Sequence, residues 1–108
     1  MAVSSALLLL AALAAEPGYL YQRTGHEADV VTAVKGGVVL MGGGKDVAEA
    51  FAWMIERSGG GDFLILRAAG TDAYNPFVVQ QGKVNSAATL ILRTREASSE
   101  PFVLERIR

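Results

Sequence analysis

Gly36-Gly37-Val38-Val39-Leu40-Met41-Gly42-Gly43-Gly44-Lys45-Asp46, a helical stretch to Ser58, and then Gly59-Gly60-Gly61-Asp62-Phe63-Leu64-Ile65-Leu66 decide the fold class. Val38 to Met41 is apolar at every position, as a strand covered on both faces would be. Gly42-Gly43-Gly44 breaks the run. Asp46 reads as a helix N-cap, with Glu49 three residues on completing a pair like a capping box. Val47, Ala50, Phe51, Met54 and Ile55 recur at helical spacing, while Glu49, Glu56 and Arg57 fall mostly elsewhere. Gly59-Gly60-Gly61 ends the helix, because glycine enters the left-handed conformation without a Cβ clash. Phe63 to Leu66 is a second continuous apolar strand. A strand, helix and strand in this order wind right-handed onto a parallel sheet.

Downstream the pattern repeats more loosely. Ala69 to Pro76 reads as a polar loop, Phe77 to Gln81 as a short helical or irregular passage, and Ala88 to Leu92 as a third apolar strand. Thr94 to Ser99 is a further polar loop. Ser99 reads as the cap of a last helix, with Pro101 in its first turn and Phe102, Val103 and Ile107 on its apolar face. The expected fold is α/β, an incomplete flavodoxin-like, doubly wound parallel sheet cut short after about three strands. Three strands ordered 2-1-3 would leave the third with an unpaired edge, so the chain reads as the beginning of a longer domain.

Upstream, residues 16–35 read as an extension holding one edge strand, Tyr19 to Gln22. Residues 1–15 differ from everything that follows. Ala6 to Ala15 is an unbroken run of Ala and Leu ended by Glu16-Pro17-Gly18. About ten apolar residues are too few to cross a hydrocarbon layer of about 30 Å as a helix, so no membrane span is expected. The length suits the apolar part of a signal peptide, and Ala12-Leu13-Ala14 supplies a small-x-small cleavage pattern, although the first residues carry no Lys or Arg. Export to the periplasm or the exterior is therefore expected.

The 108 residues are 51% hydrophobic and 19% charged, an ordinary composition for one small globular domain. A formal net charge of -1, with no cluster of Lys and Arg, argues against nucleic acid as a partner. There is no cysteine, which excludes a disulfide framework and thiolate chemistry.

A glycine-rich loop between strand and helix invites a nucleotide reading, and the spacing rejects it. The Walker pattern requires glycine where Val39 stands and a hydroxyl where Asp46 stands. In the dinucleotide pattern the last glycine would be Val47, and Arg67 occupies the place of the ribose-binding acid. The loop is expected instead to make a tight turn or to line a site, since ligands of open parallel sheets bind at the carboxyl ends of strands. By that rule Gly42, Gly43, Gly44, Lys45 and Asp46 share one rim with the loop after the second strand. That loop offers Thr71, Asp72 and Asn75 as candidate contacts, alongside its turn chemistry. No serine among Ser4, Ser5, Ser58, Ser86, Ser98 and Ser99 lies in G-x-S-x-G, the turn that exposes a nucleophile. His26, the single histidine, precedes the sheet and reads as a loop residue. No spacing suggests a metal site, and no cofactor is expected.

Three separated blocks carry a resemblance. Gly36 to Val47, Phe51-x-Trp53-Met54-Ile55-Glu56-Arg57-Ser58-Gly59-Gly60-Gly61-Asp62-Phe63, and Arg67-Ala68-Ala69-Gly70-Thr71-Asp72-Ala73-Tyr74-Asn75-Pro76 resemble, in this order, the opening of cyanophycinase-like proteins. Arg95-Glu96-Ala97 and Pro101-Phe102-Val103 look like the continuation, so the likeness covers residues 36–108. That family belongs to the serine peptidases with the class I glutamine amidotransferase-like fold. The resemblance implies hydrolysis of β-aspartyl peptide links, as in a polymer whose aspartate backbone carries arginine. It implies a serine on a later elbow with histidine and acidic partners, none of which lies in the quoted blocks. It further implies a peptide or β-aspartyl-linked polymer as substrate and is compatible with a homo-oligomeric parent and with secretion. The alternatives are a non-catalytic binding relative of the same fold, and a short interaction protein that pairs its open sheet edge with another chain.

Overall fold

The computed structural model describes residues 18–108, and the signal peptide expected over residues 1–15 lies outside the described residues. The fold is a small α/β domain built on a three-stranded mixed sheet. Strand β1 (Tyr19–Gly25) is followed, after a long irregular connection, by helix α1 (Ala48–Ser58) and strand β2 (Asp62–Arg67). Helix α2 (Tyr74–Gln81), strand β3 (Ser86–Leu92), a 3-10 turn (Glu96–Ser99) and helix α3 (Pro101–Ile107) complete it. The strand order is β1-β3-β2. β3 runs parallel to β2, with Phe63 opposite Ala87 and Ile65 opposite Thr89, and antiparallel to β1, with Tyr21 opposite Leu90.

The central place of β3 explains its sequence. Ser86 through Ile91 are all buried, which suits a strand flanked on both sides and covered on both faces. One face of the sheet packs Phe63, Ile65 and Ala87 against Ile55 and Phe51 of α1 and Val78 of α2. Two hydrogen-bonding side chains buried there are both satisfied: the Thr89 hydroxyl donates to Asn75 Oδ1 at 2.7 Å, and Asn75 Nδ2 donates to the Gln22 carbonyl at 3.0 Å. The opposite face is covered by α3. Phe102 stacks on Tyr19 at 5.2 Å and meets Tyr21 edge-on at 5.6 Å, with the Arg106 guanidinium 4.5 Å above the Phe102 ring. Leu64 and Leu66, on the same face but beyond the reach of α3, are left exposed.

Five features depart from the sequence-based expectation. Val38 to Met41 forms no strand: the segment is irregular, with Val38 82% and Leu40 92% exposed. A strand exists only through its partners, and β3 occupies the side of β2 where a central strand would have to lie. The sheet is mixed rather than wholly parallel, because β1 extends to Gly25 and pairs antiparallel with β3. Asp46 does not cap α1; Val47 holds the cap position in extended geometry with no side-chain bond. Finally, the passage from Tyr74 is helical, with Pro76 in its first turn, where the missing N–H is no loss. The last helix likewise begins at Pro101 behind Glu100, while Ser99 belongs to the 3-10 turn. Among the described residues no helix is long and apolar enough to cross a membrane.

Candidate functional site

The carboxyl end of β2 delivers Arg67 to one rim of the sheet, and the start of α1 delivers Asp46 to the same rim. Tyr74, first residue of α2, stands between them. Its hydroxyl donates to the Asp46 carboxylate, 2.9 Å from Oδ1 and 3.0 Å from Oδ2. The Arg67 guanidinium lies 5.2 Å above the Tyr74 ring and donates to the Thr71 carbonyl at 2.8 Å. Gly70 makes room for that guanidinium: a Cβ there would sit 2.7 Å from Cζ, and the backbone is already at φ 102°. The ring is held from beneath, stacked on Phe51 at 6.2 Å and edge-on to Phe77 at 6.1 Å. Two loops more than twenty residues apart in sequence thus share one polar surface.

The electrostatics follow from this order of groups. The hydrogen bond to Asp46 pushes the Tyr74 phenol above its ordinary pKa, with desolvation and the carboxylate charge acting in the same sense and Arg67 opposing them. The phenol therefore stays protonated at neutral pH, as a donor. Asp46 and Arg67 present opposite charges on either side of it. Such a surface can bind a ligand carrying both a cation and a carboxylate.

The expected rim residues divide into three groups. Asp46 and Thr71 take part in the cluster, although the Thr71 hydroxyl is used locally, accepting from the Ala73 N–H at 3.2 Å. Gly42, Gly43, Gly44 and Lys45 are exposed on the approach to α1, and side chains added at the glycines would meet nothing within 4 Å. Asp72 is half-buried and contributes its carbonyl to the Asn75 N–H. Asn75 is 0% exposed, and its amide is committed to Thr89 and Gln22, so it is an interior residue and not part of the rim surface. Tyr74 lies within the loop from Thr71 to Asn75 that the sequence placed on the rim, but its bond to Asp46 was not foreseen. Arg67 was passed over as a member of the cluster; the available signal was its position at the carboxyl end of β2, bordering that loop.

Three serine hydroxyls serve the backbone or a carboxylate. Ser58 donates to the Ile55 carbonyl at 2.6 Å, Ser86 to Asp62 at 2.6 Å, and Ser98 to the Arg95 carbonyl at 2.7 Å. His26 is exposed after β1, where its carbonyl accepts from Arg23 Nε at 2.7 Å. Among the described residues, no three His, Asp or Glu side chains converge as a metal site would require.

A second polar cluster, unforeseen from sequence, lies at the other end of the sheet. Asp62 Oδ1 accepts from Ser86 Oγ at 2.6 Å and Asn85 Nδ2 at 2.7 Å, and Arg23 lies 3.4 Å away. Oδ2 accepts from the Val30 N–H at 2.8 Å. Burial pushes this carboxyl upward, but the bonds from Ser86, Asn85 and Val30, with the charge of Arg23, outweigh it and hold the pKa below the usual carboxylate range. Every strand contributes to this network, whose evident role is to tie the connection after β1 to the sheet.

A scan against protein-family models and searches among curated proteins and solved structures find no significant match to this chain.

Proposed function

We propose that this chain is the amino-terminal, substrate-facing part of a cyanophycinase-like serine peptidase that hydrolyses β-aspartyl peptide bonds. On this reading the α/β domain is the opening of a flavodoxin-like sheet of the class I glutamine amidotransferase type, and residues 1–15 are a signal peptide for export. The reading rests on the three ordered blocks of resemblance. The observation that carries it is the Asp46–Tyr74–Arg67 cluster, which joins two of those blocks at the carboxyl end of β2. The charges suit the proposed substrate: Asp46 is complementary to an arginine guanidinium, and Arg67 to a carboxylate of the same peptide. The rim binds and orients; the serine that attacks the β-aspartyl carbonyl, its proton-shuttling histidine and the oxyanion donors are assigned to sequence other than these 108 residues.

Titration of a β-aspartyl-arginine dipeptide into the chain, followed by NMR shifts, tests this directly. The expected result is saturable shifts at the rim, weakened at least tenfold by Arg67→Ala and by Asp46→Asn, with no arginine released from the dipeptide. A dipeptide that leaves the rim resonances unmoved at millimolar concentration would contradict it. A rim that binds and orients serves equally in one alternative, a non-catalytic binder of the same fold. That alternative predicts the same shifts, and is distinguished by a parent protein that binds the dipeptide without cleaving it.

A further inference from the structure

β2 pairs with β3 along one side, and among the described residues no strand lies along the other. The bonds around β3 tell which backbone groups face that open side. The Arg93 N–H donates to the Gly18 carbonyl and the His26 N–H to the Asn85 carbonyl, which turns the odd-numbered residues of β3 toward β1. Its even-numbered residues therefore bond to β2. With Asp62 opposite Ser86, the parallel ladder meets them with Phe63, Ile65 and Arg67. The N–H and C=O groups of Leu64 and Leu66 are left pointing outward.

The side chains of this edge are apolar as well. Leu64 is 36% exposed and Leu66 53%, both on the face beyond the reach of α3. Strand edges are ordinarily guarded by lysine, proline or a bulge. β2 has none of these: its register with β3 is unbroken, and its charges stand only at its ends, Asp62 and Arg67. The free edge of β1 differs. It carries the exposed Gln22 and the ion-paired Arg23, and Phe102 closes its face toward α3. The edge open to a further apolar strand is that of β2.

The end charges select that strand. A second β2 laid antiparallel sets the acidic end of each copy beside the basic end of the other, whereas a parallel one would set like charges together. A twofold axis normal to the sheet pairs side chains that point to the same face, even-numbered residues with even-numbered ones. The registers nearest the middle of the strand are centred on Leu64 and on Ile65. The first places Leu66 opposite the Asp62 carboxylate. The second places Leu64 opposite Leu66 and Leu66 opposite Leu64, so the leucines of both copies shield one another from water. It also carries the chain beyond Arg67 toward the amino end of the other β2, where a groove of about 590 Å³ opens between Phe63, Trp53 and the connection before α1.

We propose that two copies of this chain join β2 to β2, antiparallel about a twofold axis at Ile65, into one continuous sheet of order β1-β3-β2-β2-β3-β1. Asp62 keeps its own bonds to Asn85 and Ser86, because the joint uses its backbone and not its carboxylate. The two rims at Arg67 come to lie at opposite ends of the joint. The joint follows from the sheet alone and is independent of the substrate assigned above.

Sedimentation equilibrium of the whole chain across micromolar concentrations tests the joint. The expected result is a reversible dimer, weakened at least tenfold by Leu64→Lys and by Leu66→Lys and unchanged by Gln22→Lys on the edge of β1. All three side chains are exposed, and circular dichroism checks that each variant remains folded. Cysteine pairing reads the register independently, in a chain that has no cysteine of its own. In a mixture of Leu64→Cys and Leu66→Cys, the mixed disulfide should form at least tenfold faster than either symmetric one, since only the mixed pair stands directly opposite. A chain that stays monomeric at hundreds of micromolar overturns the proposal. So does a dimer indifferent to both leucine-to-lysine substitutions, and so do three disulfides that form at equal rates.

Discussion

Asp62 opens β2, yet three of its partners, Arg23, Val30 and Ser86, come from distant parts of the chain. Its carboxylate, one-fifth exposed, takes the place of water for donors from all of them. Asp62→Asn keeps the shape but offers one oxygen in place of two and removes the charge facing Arg23. The expected loss is about 1–3 kcal/mol, the usual cost of leaving part of such a network unpaired. The pH dependence has a definite sign. Because the folded pKa lies below the ordinary value near 3.9, the carboxylate's contribution is complete above that value and is lost as pH falls through the folded pKa. Urea unfolding of both proteins should show a stability gap at pH 7 that narrows below about pH 4. A gap unchanged between pH 7 and pH 3 would mean that the charge is irrelevant. None of this was legible locally, since Asp followed by apolar residues carries no mark of partners so far away. Asn75 misleads for a related reason: an amide beside Pro76 has the chemistry of a turn, and only the packing of α2 on Thr89 turns it inward.

The elements that the sequence announces are those whose signals are local. α1 has its apolar spacing and its terminal glycines, β2 and β3 their continuous apolar runs, and α3 its Pro101. Gly59 is the sharpest of these signals. It sits at φ 67° as the C-cap, its N–H donates to the Glu56 carbonyl, and a Cβ would lie 2.7 Å from the Ala33 carbonyl oxygen. Gly59→Ala should cost about 1–2 kcal/mol for the left-handed backbone, with the crowding of Ala33 added to it. Gly42→Ala, where a Cβ meets nothing, should be close to neutral. Thermal unfolding of the two variants compares them; equal melting temperatures would contradict the cap. Val38 to Met41 carries as strong a strand signal as β2, but hydrophobic pattern states what a segment can bury, not whether an edge is available to it. Strand direction was equally invisible, since nothing in Tyr19 to Gly25 distinguishes an antiparallel neighbour from a parallel one.

At the scale of the molecule, the two ends of the sheet do different work. The amino end of β2 is tied down by Asp62 and its partners. The carboxyl end gathers Asp46, Tyr74 and Arg67 from two connections into one charged surface. That both connections would meet on one rim was expected from a strand–helix–strand order whose first strand does not form; that Tyr74 would bridge them was not expected, because it depends on α2 beginning early enough to aim the ring at Asp46. The proposed recognition of a β-aspartyl peptide requires this bridge. Its most direct test is the titration of the Tyr74 phenol, followed by NMR of its labelled ring. The phenol should titrate above the ordinary value of about 10 in the unmodified chain and fall back toward it in Asp46→Asn. A Tyr74 that titrates identically in both proteins would show that the two loops do not meet.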